Sequence, residues 1–289
     1  MRRRPVPPLP RGPGGAARAW VISCGTIPRH SPPRQPLVRG GTPRSIPAVT
    51  SIPDERLSRT AVLIPALNEE DALPAVLHAL PIGRLQCVVV ADNGSTDGTA
   101  AVARAAGAVV VREDERGYGA ACLKGIACLS ALPSRPEVLV FLDADHPESA
   151  EQLSLVLDPV NRGADLALGV RVGRDGGTGN LHAHARLGNR VVLAAVRLLF
   201  GRRFLDLPPF RAIRFDALER MAMDDRNWGW TLQMQVRAVR QGLAIVEVEA
   251  PHLPRVRGRS KISGRLGMSL RVGAKMFFTL ARERLRQTD

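Results

Sequence analysis

From Thr60 onward, short apolar runs alternate with longer segments of helical spacing, and this alternation constrains the fold more than any other feature. The runs are Ala61–Ile64, Cys87–Ala91, Ala108–Val111, Val138–Leu142 and Asp165–Gly169. They are apolar at nearly every position, not at alternate ones, which is the pattern of strands covered on both faces. Between them, Leu67–Leu80, Ser95–Ala106 and Gly119–Leu132 read as helices. The spacing places Asn68 as N-cap of the first helix, with Glu69, Glu70 and Asp71 in its first turn. Strands alternating with helices of this length predict βαβ units: an α/β fold with a single doubly wound, mostly parallel sheet and flanking helices. A last strand is predicted at Ala244–Ala250.

In such a sheet, ligands bind beyond the carboxyl ends of the strands. There the sequence places Pro65 to Glu70, then Asp92 to Gly98, then Asp143-Ala-Asp145. Carboxylates and amides at three strand ends would converge on one crevice. Asp143 and Asp145, two apart, lie on one face and can point at one cation. Oxygen ligands of this kind suit Mg²⁺ or Mn²⁺, completed by water and phosphate oxygens, and the ion would neutralise a diphosphate leaving group. Asp92 ends an apolar strand, where a carboxylate needs a partner. With Ser95 or Asn93 able to cap the next helix, Asp92 is left to accept from a ligand such as a nucleobase imide N–H.

The formal charge of +14 over 289 residues suggests a nucleic-acid partner until it is located. Residues 1–59 carry +9 and residues 253–289 carry +8, which leaves the body at −3. Residues 1–55 hold 12 of the 23 prolines and show no apolar period. Such a segment buries too little surface to offset its chain entropy, so it reads as a disordered Arg/Pro-rich tail. Its one apolar run, Ala16–Ile22, is broken by Arg18 and is too short for a signal-peptide core. No apolar stretch reaches the length of a spanning helix. The four cysteines form no CxxC pair, which argues against a zinc site or disulfide framework and for a reducing compartment.

Taken in order, "VLIPALNEE", "VVVADNGSTDGT", "RGYGAACLKGI" and "VLVFLDADHPES" resemble the family 2 glycosyltransferases of the GT-A fold. The later "DLPPFRAIR", "NWGWTLQMQVRA" and "RVRGRSKISG" resemble its dolichol-phosphate mannosyltransferase-like branch. The resemblance covers roughly residues 60–265. It implies a nucleotide-diphosphate sugar donor (UDP- or GDP-hexose), a divalent metal and inversion at the anomeric carbon. By the same resemblance Pro65, Ala66, Asn68 and Glu69 line the nucleotide site and Asp92 holds the base. Gly117 and Gly119 let the chain pass close to the nucleotide. Asp143, Ala144 and Asp145 match the family's metal-binding DxD. The domain limits that follow are 1–55 for the tail, 56–263 for the GT-A domain and 264–289 for a C-terminal helix.

The second half would serve the acceptor. Residues 171–182 hold four glycines and read as a loop that closes over substrate. Asp206 and Arg211 are candidates for acceptor or diphosphate contacts, although Pro208 stands where the branch has Gly and must change the turn. Gln233 stands where the branch often has an acid. Gln cannot deprotonate a hydroxyl, so the position favours an acceptor that is already ionised, a polyprenyl phosphate. The competing reading makes Asp225, or Asp224, the base for a soluble or glycan hydroxyl. Arg255, Arg257, Arg259, Ser260 and Lys261 form a cationic cluster that clamps donor diphosphate, acceptor phosphate, or both.

The stretch 264–286 is helical by pattern. Leu266, Leu270, Val272, Met276, Phe277 and Leu280 fall on one side, with Arg271, Lys275, Arg282 and Arg286 opposite. A basic amphipathic helix of this kind lies in a membrane interface or packs on the domain. The expectation is therefore a cytoplasmic enzyme, peripheral on the inner membrane face, with no nucleic-acid partner. A non-enzymatic nucleic-acid-binding protein is the remote alternative, and it leaves the paired aspartates unexplained.

Overall fold

The computed structural model describes residues 52–146, 152–172, 183–251 and 266–286, with the side chains of 183–186 and 266–270 left out. A one-turn helix α1 (Asp54–Leu57) leads into strand β1 (Thr60–Ala66). There follow α2 (Leu73–Ala79), β2 (Cys87–Asp92), α3 (Thr99–Ala105), β3 (Val109–Arg112), α4 (Tyr118–Ser130) and β4 (Val138–Phe141). The second half adds α5 (Leu153–Asn161), β5 (Leu166–Val172), α6 (Ala183–Phe200), β6 (Arg211–Arg214) and α7 (Phe215–Met221). It closes with α8 (Trp230–Arg240), β7 (Ile245–Pro251) and α9 (Leu266–Leu285).

The strands form one sheet in the order β3-β2-β1-β4-β6-β5-β7, with β6 antiparallel to β4 and β5 and the other pairs parallel. Alternate residues of each strand feed two cores. Ala61 and Leu63 of β1, Val89 of β2 and Phe141 of β4 pack with Cys122 of α4, Val196 of α6, Trp230 of α8 and Leu280 of α9. On the other face, Val62 and Ile64 of β1, Val88 and Val90 of β2 and Val140 of β4 pack with Leu73 and Leu77 of α2 and Val156 of α5. Burial on both faces explains why these strands show no polar alternation. Pro65 is tolerated in a central strand because pairing of β1 with β4 ends at Leu63, so its missing N–H falls where only β2 remains alongside.

Two helix starts differ from the sequence expectation. The first helix begins at Leu73, not Leu67, and Asn68 is not its cap. Asn68 sits at φ +50°, its N–H donates to Ser95 Oγ (2.9 Å) and its side-chain oxygen accepts from the Thr96 N–H (2.8 Å). Glu69 N–H donates to Thr99 Oγ1 and Gly98 N–H to Glu70 Oε2. Residues that look like caps thus stitch the loop after β1 to the loop after β2, and the second helix starts at Thr99 instead of Ser95 for the same reason.

The polar stripe of α9 also points inward. Lys275 Nζ lies 2.9 Å from Asp225, and Arg282 and Arg286 lie 2.6 and 3.0 Å from Asp224. Glu283, fully buried, receives Arg237 of α8 and the Gln233 amide. Phe277 and Phe278 face solvent instead.

Candidate active site

The carboxyl ends of β1, β2, β4, β5 and β7 share one edge of the sheet. The sequence-predicted residues Pro65, Ala66, Asn68 and Glu69 follow β1, Asp92 ends β2, and Asp143, Ala144 and Asp145 follow β4. β2, β1 and β4 are neighbours, so these groups gather on that edge.

Asp145 and His146 are buried and Asp143 is half-buried. Their ligand atoms all lie within 4.8 Å of one another, and His146 Nε2 is 3.6 Å from Asp145 Oδ1. Two carboxylates and an imidazole at this spacing fit a divalent cation, with the oxygen donors suited to Mg²⁺ or Mn²⁺ and the nitrogen favouring the softer of the two. Sequence reasoning missed His146, although it follows the second aspartate directly.

A shallow, open cleft lies beside this group, lined by Asp143, His146, Gly169, Arg171, Pro209, Phe210, Ala250 and Pro251. Arg171 was also missed; the available signal was its place at the end of a parallel strand. Asp206 holds its guanidinium from two sides, Nε to Oδ2 and Nη2 to Oδ1, both at 2.8 Å. Asp206 also accepts from the Asn189 amide and the Leu207 N–H. Burial alone would raise the Asp206 carboxyl; the Arg171 guanidinium and the backbone N–H groups outweigh it and hold its pKa below the usual value. A depressed carboxylate contributes stability above its unfolded pKa and loses it as pH falls through the folded one. The pair is therefore intact across the neutral range. Asp206 positions Arg171 and does not itself face the cleft.

The side-chain environments of four candidate residues bear on their expected roles. Arg211 is buried and donates to the carbonyls of Thr231 and Pro208. Burial pushes its guanidinium down to about 10, against nearby charges that include Asp143. It remains cationic at neutral pH and lies beneath the site. Asp225 has no exposed side-chain surface; it accepts from the Asn227 N–H and Thr279 Oγ1 and pairs with Lys275. Gln233 is also fully buried: its Oε1 accepts from the Asp224 and Asp225 N–H groups, and its Nε2 donates to Asp224 and Glu283. It braces the loop that carries Asp225. Asp92 is not wholly open to a ligand, because Oδ1 accepts from the Ser95 N–H at 2.8 Å and Oδ2 lies 3.7 Å from Arg112.

The glycine expectation changes too. A Cβ on Gly119 or Gly117 would collide with the carbonyl oxygens of Asp225 and Arg226, respectively. The Ala120 N–H donates to that Arg226 carbonyl at 2.8 Å. These glycines let the start of α4 meet the 225–226 backbone. Asn93 ties the same region to β2, accepting from the Gly117 N–H and donating to the carbonyls of Glu113 and Glu115. We expect Gly119→Ala to destabilise the fold by roughly 1–3 kcal/mol through overpacking, read as a shifted urea midpoint; an unchanged midpoint would show that this contact is loose. Arg255, Arg257, Arg259, Ser260 and Lys261, and residues 173–182, lie outside the described residues.

A family profile described as glycosyl transferase family 2 matches residues 61–222. The chain belongs to glycosyltransferase family 2. An uncharacterized glycosyltransferase of Mycobacterium tuberculosis is 37% identical over 211 residues, covering 72% of this chain and 92% of that protein. A polyprenol monophosphomannose synthase of Mycolicibacterium smegmatis is 34% identical over 221 residues (71% and 82%). An undecaprenyl-phosphate mannosyltransferase of Micrococcus luteus is 32% identical over 222 residues (71% and 88%). These relatives set this family 2 enzyme in the dolichol-phosphate mannosyltransferase-like branch. Glucosyl-3-phosphoglycerate synthase of Mycobacterium tuberculosis, solved with Mn²⁺, UDP and its glucosylated product, superposes with a TM-score of 0.62 at 23% identity, over 80% of this chain and 81% of that one. At that identity the likeness carries the GT-A fold alone.

Proposed function

We propose that this glycosyltransferase moves a hexose from a nucleotide-diphosphate sugar to a polyprenyl phosphate, with inversion and with a divalent metal. The observation that carries the acceptor assignment is the enclosure of Asp225. A general base must come within hydrogen-bond reach of the proton it takes. Asp225 has no exposed side-chain surface and is held by an ammonium group, and Asp224 is engaged by Arg237, Arg282 and Arg286. Among the described residues, the cleft lining carries one carboxylate, Asp143, which belongs with the metal group. A phosphate monoester has a second pKa near 6, so at neutral pH it already bears the negative oxygen that attacks.

In this reading Asp143, Asp145 and His146 would hold Mg²⁺ or Mn²⁺, and the ion would supply positive charge to offset that of a nucleotide diphosphate leaving group. Asp92 and the stitched loops after β1 and β2 seat the nucleoside. Arg171, fixed by Asp206, presents a guanidinium to phosphate oxygens in the cleft. The acceptor oxygen forms its bond to the anomeric carbon as the bond to the diphosphate breaks on the opposite side. The names of the polyprenol monophosphomannose synthase and the undecaprenyl-phosphate mannosyltransferase support this acceptor class.

The test is a transfer screen with UDP-glucose, UDP-GlcNAc and GDP-mannose, with and without polyprenyl phosphate. Its pH profile separates the two acceptor readings. We expect the rate to rise through about pH 6 with acceptor ionisation and then stay flat. Asp225→Asn should leave that profile unchanged. A loss of about 10²–10⁴-fold in kcat on Asp225→Asn, with KM and melting temperature unaltered, would restore Asp225 as a base.

A further inference from the structure

Arg211 is a charged side chain placed where a fold gains little from charge. It is the first residue of β6, 1% exposed, opposite Phe141 of β4 and Leu168 of β5. Phe141, Leu168 and Ile213 belong to the core beneath α4 and α8. β6 runs antiparallel to β4, so its first residues lie at the edge where β4 and β5 end. Asp143 stands two residues beyond Phe141 and Arg171 three beyond Leu168. Both line the cleft, together with Pro209 and Phe210, which immediately precede Arg211. The guanidinium reaches back toward that edge. Its Nη2 donates to the Pro208 carbonyl and its Nη1 to the Thr231 carbonyl at 3.2 Å.

Among the described residues no carboxylate pairs with this cation. Nη1 lies 3.6 Å from Met234 Sδ, and the Nε–H has no partner. Burial raises the Tyr118 phenol and the Cys122 thiol well above their usual values, so these neighbours stay neutral. The carboxylates whose charge reaches Arg211 are Asp143 and Asp206, and neither forms an ion pair with it. Asp206 is taken up by Arg171, and Asp143 belongs to the metal group. Arg237 is buried too, but it meets Glu283 and Asp224 directly. A buried charge without a counter-ion is costly. Two carbonyls can be tied by a neutral amide, so the hydrogen bonds alone do not call for an arginine.

We infer, on the donor reading proposed above, that Arg211 is a positioning residue whose counter-ion arrives with the substrate: its buried guanidinium favours the donor diphosphate in the cleft by its field, without touching it. A charge enclosed in the core is screened far less than one in solvent. It is also fixed in place, so it need not reorganise when an anion binds or when charge grows on the leaving group. Arg171 differs, because it lines the cleft and can bond phosphate oxygens directly. The competing role for Arg211 is a plain structural tie between Pro208, beside the cleft wall, and the first turn of α8.

Calorimetry of the full chain with UDP and with GDP, each with Mn²⁺, separates the two roles when it is paired with thermal unfolding. Whichever diphosphate the wild type binds, Arg211→Gln should bind it at least about tenfold more weakly, the order expected of one poorly screened charge. Its melting temperature should not fall, because the loss of an uncompensated buried charge offsets the loss of the carbonyl bonds. Arg211→Lys keeps the charge and should stay within about threefold of wild type. A structural tie predicts instead that affinity follows the melting temperature and not the charge. Arg211→Gln binding like wild type, or Arg211→Lys binding as weakly as Arg211→Gln, would overturn the inference and leave the donor reading standing. So would an affinity loss in Arg211→Gln that comes with a lowered melting temperature. Wild-type protein that binds neither diphosphate would overturn both.

Discussion

Asp145→Ala is expected to lower hexose transfer by about a thousandfold while the protein stays folded. Asp145 is buried beside His146, with Asp143 completing the group within 4.8 Å. In the proposed reading, removing one carboxylate would take away an anionic metal ligand and leave the diphosphate charge poorly matched as the sugar departs. Loss of a single electrostatic element aimed at developing charge costs about 10²–10³-fold, and loss of a metal ligand adds weaker metal binding. The defect should therefore shrink in part at high Mn²⁺. His146→Ala should be milder and should narrow the preference for Mn²⁺ over Mg²⁺, since the nitrogen donor is what separates the two ions. Steady-state transfer over a metal titration reads both effects. Asp145→Ala working at the wild-type rate would remove the metal assignment.

Glu283→Ala is expected to be the most destabilising single change in the second half of the chain. Glu283 is fully buried and accepts from Arg237 Nε and Nη2 and from Gln233 Nε2, at 2.7 to 3.1 Å. Arg240 reaches its backbone carbonyl at 2.6 Å, so α8 and α9 are joined through this residue. Removing one partner of a buried pair leaves the other charge uncompensated, at about 3–5 kcal/mol. For a chain of this size that corresponds to a fall in Tm of about 10 °C. Glu283→Gln keeps acceptors for Arg237 and should lose less. Thermal unfolding of both variants tests this. A change under about 1 kcal/mol for Glu283→Ala would mean that α9 is held by its apolar contacts instead.

The same pair of helices shows what the sequence could and could not reveal. The β-strands were readable because Val62 to Ile64, Val88 to Val90 and Leu139 to Phe141 are buried on both faces, which leaves an unbroken apolar run. The carboxyl-end rule then placed Asp92, Asp143 and Asp145 on one edge. Periodicity also found α9 and its two stripes. It could not say which stripe faces inward, because that depends on Asp224 and Asp225, which lie about fifty residues earlier and are brought alongside only by folding. The surroundings of Gln233 and Arg211 were hidden for a related reason. Gln233 meets the Asp224 and Asp225 backbone and the side chains of Asp224 and Glu283, and Arg211 meets the carbonyls of Thr231 and Pro208, groups that only folding brings alongside. Asn68 and Ser95 look like helix caps and act as a cross-loop stitch. β6 is four residues long and includes two arginines, so it gave no strand signal.

Among the described residues no helix is long and apolar enough to cross a membrane.

The most direct measurement of the central claim is a paired assay with a labelled nucleotide sugar, offering polyprenyl phosphate and the matching polyprenol to the same enzyme. It is run with Mn²⁺ and again with the metal chelated. The account predicts label on the polyprenyl phosphate alone, abolished by chelation and restored by Mn²⁺. Label on the free alcohol at a comparable rate, or transfer that survives chelation, would contradict it.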